Sequence, residues 1–296
     1  MTHICNAYPL GGFFYLKNKN IITTYMYIIS IHFSLTKGGF MELKKRIRNG
    51  WDISAEGFSD LIRDDLSDKR KYSWLDTILE NAPQKEDLKI LDTGCGPGFF
   101  SIILSEAGFD VTGIDLSAKM IKEAEKNAEA METDPVFKVM DIQEPDLEDG
   151  MFDLIVSRNV VWSLSEPEKA YRNWLRILKP GGRLLVFDGD HLKDLREPDK
   201  GRSYSIDSYT EEYKKLYGKE PKCSYAKDDF EEARGWRRDL PLADKERPEW
   251  DIGYCKDIGF INVESEWVNE KVFTDKKDIY LHRNNPYFLL KAEKNK

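Results

Sequence analysis

The chain has 296 residues, a net charge of -8 and a pI near 5.3. That length is ample for one α/β domain with a sizeable insertion. The acidic balance creates no field that draws a polyanion, which counts against nucleic acid as the main partner. Cys5, Cys95, Cys223 and Cys255 make no C-x-x-C pair, so neither a disulfide framework nor a zinc site is expected, no metal is called for, and a reducing cytoplasm is the simplest setting.

The first forty residues do not match the rest. Ile21 to Leu35 is an apolar, β-branched and aromatic run that follows Lys17 and Lys19, too short and too polar for a membrane span. Ser34-Leu35-Thr36 is a poor signal-peptide cleavage site. Lys37-Gly38-Gly39-Phe40 directly before Met41 reads as a translated purine-rich ribosome-binding sequence ahead of the true start. Residues 1–40 are therefore expected to be a non-native upstream extension or a leader, which N-terminal sequencing of the native protein decides.

From Met41 the chain opens with Lys44, Lys45, Arg46 and Arg48, expected to be a solvated helix face, and continues with Trp51-Asp52-Ile53-Ser54-Ala55-Glu56-Gly57-Phe58. Tyr72 to Glu80 reads as a helix burying Trp74, Leu75, Ile78 and Leu79, with Pro83 ending it. The apolar run Leu88 to Leu91 then reads as a buried strand closed by Asp92. Gly94, Gly96 and Gly98 alternate with Thr93, Cys95 and Pro97 in the loop that follows, and Phe99 to Ala107 has a helical apolar face that stops at Gly108. A second strand, Val111 to Ile114, ends on Asp115 and leads to Leu116. Glycines let the backbone bend sharply and let a ligand approach without a Cβ between them. An acid ending the second strand can accept both hydroxyls of a ribose. A dinucleotide fingerprint would read G-x-G-x-x-G with the helix start facing a pyrophosphate, whereas this loop reads G-x-G-x-G behind Asp92, an acid better matched to a ligand ammonium group.

The pattern Asp92-x-Gly94-Cys95-Gly96-Pro97-Gly98 with Asp115 after it resembles the first motif of class I S-adenosylmethionine-dependent methyltransferases. The resemblance implies a Rossmann-like α/β fold with a seven-stranded sheet, mostly parallel with the last strand antiparallel, helices on both faces, and S-adenosylmethionine as cofactor. On that basis Trp51 and Phe58 match a segment that precedes the core in small-molecule enzymes of the class and helps cover the cofactor; plain packing is the competing reading. Ser117 looks like an N-cap with Met120, Ile121 and Ala124 facing inward. Met120 resembles the family's adenine-stacking residue, or is simply core. Val136 to Met140 makes a third strand that ends on Asp141-Ile142, where the family's acid bonds the adenine amino group and its apolar neighbour packs on the ring. Cys95 is read as a small residue that fits the loop and not as a nucleophile.

Phe152 to Ser157 is nearly continuous in apolar residues, as a parallel strand covered on both faces should be. Ser157, Arg158, Asn159 and Trp162 fall at its carboxyl end, where ligands of open α/β sheets sit. The run Ser157-Arg158-Asn159-Val160, an amphipathic helix from Pro167 to Leu178, and Leu178-Lys179-Pro180-Gly181-Gly182-Arg183-Leu184 together resemble methyltransferases of the ubiquinone and menaquinone biosynthesis type over Leu88 to Asp188. Lys179 to Gly182 is expected to be a turn feeding a fifth strand, Leu184 to Phe187. Just beyond lies Asp188-Gly189-Asp190-His191, in which His191 is either a general base or a surface-loop histidine. Asn159, Trp162 and His191 are the acceptor-side candidates.

Residues 189–248 read as a substrate cap with helices near Tyr209 to Leu216 and Asp228 to Trp236, carrying Tyr204, Tyr209, Tyr213, Tyr225, Trp236, Arg237 and Arg238. Pro248 to Ile258 reads as a helix, and Ile261 to Val268 with Tyr287 to Ala292 as an antiparallel pair. Asn285-Pro286-Tyr287-Phe288 resembles the N-P-P-Y motif of methyltransferases acting on amino groups of bases, but that motif follows the fourth strand, so here it is read as the start of the last one. The expected organisation is an extension (1–40), a helical lid (41–87), a cofactor-binding core (88–188), a cap (189–248) and a closing helix and strand pair (249–296). The expected activity is methyl transfer to an O, N or S atom of a small molecule. The rivals are a nicotinamide oxidoreductase, which lacks its third fingerprint glycine, and a non-catalytic S-adenosylmethionine-binding regulator. The oligomeric state is not readable.

Overall fold

A computed structural model describes the backbone of residues 21–197, 206–218 and 234–296, with side chains described for 39–197, 211–218 and 234–296. Cys5, Cys223, Tyr204, Tyr225, the side chain of Tyr209, the expected Asp228–Trp236 helix up to residue 233, and residues 1–20 of the expected leader lie outside the described residues. The chain divides into two compact units, Met1–Gly39 and Phe40–Lys296. In the first, the described backbone is helical from Ile21, as the beginning of helix α1 (Ile21–Ser67). The second unit carries everything discussed below.

Seven strands form its sheet: β1 (Lys89–Thr93), β2 (Asp110–Asp115), β3 (Val136–Val139), β4 (Phe152–Arg158), β5 (Leu178–Asp188), β6 (Phe260–Trp267) and β7 (Phe288–Lys294). Their order is β3-β2-β1-β4-β5-β7-β6, and β7 runs antiparallel to both neighbours. This is the sheet expected from the sequence. The apolar runs are continuous because both faces are covered. Side chains alternate across a strand, so Ile155, Leu184 and Val186 enter one apolar cluster while Leu154, Val156, Leu185 and Phe187 enter the other.

The intervening helices are α2 (Arg70–Asn81), α3 (Phe99–Glu106), α4 (Ala118–Ala130) and α5 (Pro167–Ile177). Beyond β5 come a short α6 (Lys193–Arg196), α7 (Ile206–Tyr217), a 3-10 turn over Gly235–Asp239, and α8 (Glu249–Asp257). The helix α9 (Asn269–Val272) and α10 (Lys276–Leu281) precede β7.

One expectation is corrected. Lys179 to Gly182 is not a free turn before a short strand but a bulge inside a long one. Leu178 already pairs with Phe152, and the next pair is Arg183 with Leu154. The extra residues are absorbed where Gly181 takes a φ of 74°, a conformation that costs glycine little. Strand order reverses between β1 and β4, which opens a crevice beyond their carboxyl ends.

Candidate functional site

The loop after β1 carries the crevice's first wall. Gly94, Gly96 and Gly98 have φ of 71°, 51° and 92°, all left-handed. Each serves a different purpose. A Cβ on Gly94 would lie 2.5 Å from Val160 Cγ2, and one on Gly98 3.2 Å from Ala124, Ile102 and Phe137, so those two are forced by packing. Gly96 meets nothing nearer than a Phe58 ring carbon at 3.7 Å, so its outer side is open to a ligand. Asp115, at the end of β2, is held in place by the Gly96 N–H to Oδ2 (3.0 Å) and the Ser117 N–H to Oδ1 (2.8 Å). Burial pushes its carboxyl up to about 6, against the bonds from Ser117 and Gly96, which pull it down.

The crevice lies between α1, the glycine loop and the carboxyl ends of β2 and β4. Gly94, Gly96, Asp115, Leu116, Met120, Asp141, Ile142 and Asn159 of the expected site residues all line it. Met120 and Ile142 are buried and give the crevice an apolar slot between the two carboxylates. Trp51 and Phe58 of α1 line it as well. A smaller adjoining recess is lined by Asp92 and Cys95, and shares Gly94, Gly96, Arg158 and Asn159 with the first. A diol acid, an apolar slot for a flat ring, an open glycine edge and a second acid in an adjoining recess fit a sulfonium nucleoside.

Asp92 is buried, and its Oδ2 accepts from both the Ser101 N–H (2.9 Å) and the Ser101 hydroxyl (2.7 Å). Desolvation raises its carboxyl to about 7, opposed by those two bonds. Only its other oxygen is without a named donor, so its expected role at a ligand ammonium rests on that atom. Cys95 is buried, and desolvation with the nearby Asp92 and Asp115 charges holds its thiol well above the ordinary range, in line with a packing role. Gly98 shapes the helix start and lines neither space. Ser157 is fully buried and donates to the Thr93 carbonyl (3.2 Å). It ties β4 to β1 and does not reach the crevice.

Two acceptor-side expectations change. Trp162 is buried, stacked on Trp236 with centroids 5.7 Å apart, and donates its indole N–H to the Asn159 carbonyl (3.0 Å); it supports the wall from behind. His191 lines neither space, and both ring nitrogens are occupied, Nε2 with Asn159 Oδ1 (3.1 Å) and Nδ1 with Asn285 Nδ2 (3.0 Å). A general base needs a free lone pair aimed at its proton, so the geometry argues against that role.

Lys44 was not expected at the site, whereas Arg158 was. Lys44, read as part of a solvated face, lines the crevice and donates to Asp141 Oδ2 (2.7 Å), with Glu166 at 3.6 Å. Burial alone would raise the Asp141 carboxyl, but the Lys44 bond and charge and the Gln143 N–H outweigh it and hold it low. The signal for Lys44 lay in the spacing of its neighbours. Leu43 and Ile47 are four apart and both buried, which sets Lys44 beside the inward stripe. Arg158 lines both spaces, its guanidinium 4.7 Å from the Trp74 ring centroid and 4.4 Å from that of Phe99, with Nη2 on Asp65 (3.0 Å).

Comparison with known proteins bears on this geometry. The methyltransferase domain family matches residues 91–186. The chain is 33% identical over 128 residues to phosphoethanolamine N-methyltransferase 3 of Arabidopsis thaliana, covering 41% of this chain and 26% of that protein. It is 35% identical over 116 residues to the malonyl-[acyl-carrier protein] O-methyltransferase of Erwinia billingiae, covering 38% and 45%. The aligned stretches span between 23% and 58% of the curated relatives' own length. Among solved structures, the chain resembles Haemonchus contortus phosphoethanolamine N-methyltransferase 2, in complex with phosphomonomethylethanolamine and S-adenosylhomocysteine. The TM-score is 0.50 at 19% identity, over 75% of this chain and 52% of that one; that likeness is one of fold.

Proposed function

We propose that the stretch matching the methyltransferase domain family, residues 91–186, together with the rest of the seven-stranded sheet, makes this chain a class I enzyme that transfers a methyl group from S-adenosylmethionine to an oxygen, nitrogen or sulfur atom of a small molecule. The observation that carries this reading is the convergence of Asp115, Met120, Asp141 and Ile142 with Gly94 and Gly96 on one crevice at the strand-order reversal. When bound, S-adenosylmethionine supplies a methyl group already activated for displacement by its sulfonium. The chain's own task is then alignment and exclusion of water. Asp115 accepts the ribose hydroxyls, Met120 and Ile142 flank the adenine, and Asp141 offers its remaining lone pairs at the ring's edge. Asp92 and the glycine loop face the amino-acid end, while Arg158 and Asn159 form the wall on the acceptor side.

In the same reading residues 41–87 cover the cofactor, 88–188 bind it, 189–248 shape the acceptor pocket, and 249–296 complete the sheet. The acidic net charge of -8 supports a small-molecule acceptor over a nucleic acid. The setting is cytoplasmic. Among the described residues no helix is long and apolar enough to cross a membrane.

Tritium transfer from methyl-labelled cofactor to candidate acceptors tests the activity, and label retained by the cofactor across the acceptor panel, with tight binding, would favour a sensor. Quenching of nicotinamide fluorescence on addition of the protein would instead turn the reading toward an oxidoreductase. The ribose assignment has its own pH signature. The Asp115 carboxylate is the accepting form, and its carboxyl is raised to about 6. Affinity for adenosylhomocysteine is therefore expected to lose about tenfold per pH unit below about pH 6. Calorimetry across pH should find the loss below about pH 6 shallower in Asp115→Asn, where only the Asp92 carboxyl near 7 still titrates; an equally steep loss in the variant removes Asp115 from the ribose.

A further inference from the structure

Two features of the sequence stand outside the chemistry above, His191 and the Asn285-Pro286-Tyr287 segment, and the fold brings them to the same atom group. Asn159 is a non-glycine residue with a φ of 59°, in the left-handed region that L side chains adopt only with support. It sits directly after β4, where the chain turns through the crevice wall. The two side chains that follow from that turn are functional in position: Arg158 faces both spaces, and Val160 fills the volume in front of Gly94.

The support comes from four directed hydrogen bonds. Asn159 Nδ2 donates to the Tyr287 hydroxyl (2.6 Å). That leaves Asn159 Oδ1 to accept from His191 Nε2 (3.1 Å), which makes Nε2 the protonated nitrogen. His191 Nδ1 then accepts from Asn285 Nδ2 (3.0 Å), and Tyr287 is itself anchored by its N–H to Asn269 Oδ1 (2.6 Å). His191 Nε2 also stands 3.4 Å from Asp188 Oδ1, a second acceptor for the same proton, and every member of the relay has a fixed direction. Trp74 and Phe273 pack against the buried Tyr287 ring, with centroids 5.6 and 5.9 Å away, so the hydroxyl cannot drift.

We propose that His191, Asn285 and Tyr287 are positioning residues that hold Asn159 in its left-handed turn and thereby set the crevice wall at Arg158 and Val160, with His191 serving as a fixed spacer and not as a proton acceptor. The inference uses the reading above only in choosing adenosylhomocysteine as reporter.

The test is a set of variants of the full chain, read by adenosylhomocysteine calorimetry. Glutamine can replace imidazole in the relay, since its amide both donates and accepts; phenylalanine fills the space and does neither. His191→Phe and Tyr287→Phe should each lower affinity about fivefold or more, and His191→Gln should restore it to within about twofold. Glycine adopts the left-handed turn without help, so His191→Phe should add little in an Asn159→Gly background. Equal losses for the glutamine and phenylalanine variants, or an undiminished loss in the glycine background, overturn the relay. A ligand-free reading guards against failure of the cofactor assignment. Imidazole nitrogen shifts of labelled protein, assigned with His191→Gln, should report His191 as the Nε2–H tautomer, and the Nδ1–H tautomer or an imidazolium overturns the proposal. A wild type that binds no adenosylhomocysteine but shows the Nε2–H tautomer sinks the cofactor reading and leaves the relay standing.

Discussion

Alanine at position 94 is expected to abolish measurable adenosylhomocysteine binding and to lower the melting temperature by about 5–10 °C. Two costs add. Alanine must hold a φ of 71°, which costs an L residue about 1–2 kcal/mol. Its Cβ would also stand 2.5 and 2.8 Å from the two Val160 methyls and 3.2 Å from Val160 Cβ. No rotation of Val160 relieves a contact that includes its own Cβ, so the turn at Asn159 must move, at about 1–3 kcal/mol for overpacking. Gly108 is the matched control. It also has a positive φ, 90°, but nothing lies within 4 Å of its Cβ position. Gly108→Ala should show the backbone cost alone, about 1–2 kcal/mol, with binding intact. Thermal melts and calorimetry on the pair separate the effects, and normal binding by Gly94→Ala would mean the two loops are not interlocked.

Replacing Arg247 by alanine should destabilise the protein by about 3–5 kcal/mol, because it leaves two carboxylates buried and unpaired. Arg247 donates from Nη1 to Asp188 Oδ2 and from Nε and Nη2 to the two oxygens of Asp251, all at 2.8 Å. The two acids are fully buried and Arg247 is 5% exposed. Burial alone would raise the Asp188 carboxyl, and the Arg247 charge together with the His191 hydrogen bond reverses this and holds it low. Without the arginine the sign inverts: a raised native carboxyl contributes stability below its unfolded value and loses it as pH rises. The deficit of Arg247→Ala against wild type should therefore be larger at pH 8 than at pH 5 in urea unfolding. A combined Arg247→Met, Asp188→Asn, Asp251→Asn variant should recover much of it, since an apolar or neutral replacement of the whole group leaves no buried charge. A pH-independent deficit would show that the acids are not uncompensated.

How far the sequence revealed this molecule depended on how local each cause was. β4 announced itself because both its faces are covered, so six consecutive residues from Phe152 to Ser157 are buried. The residues that line the crevice were legible for a similar reason. Asp115, Met120, Asp141 and Ile142 come from strand ends and the turns after them, where position along the chain fixes position in space. Lys44 left only the local signal of its buried neighbours, because the partner that holds it, Asp141, lies 97 residues away. Arg247 joins an acid four residues on to one 59 residues back, and a spacing of that kind leaves no local trace. His191 shows the limit most plainly. A titratable ring beyond a strand end suggests proton transfer, yet its partners lie 32 and 94 residues away, and those partners decide what it can do. The bulge in β5 was misread because Pro180-Gly181-Gly182 has the composition of a turn, and only the pairing of Leu178 with Phe152 reveals that the strand had already begun.

Lys44, Trp51 and Phe58 all reach the crevice from one helix, and Lys44 is fastened to Asp141 on the opposite side. In the proposed reading, an occupant beneath α1 is expected to leave faster once that ion pair is broken, so residence time becomes a property adjustable along α1.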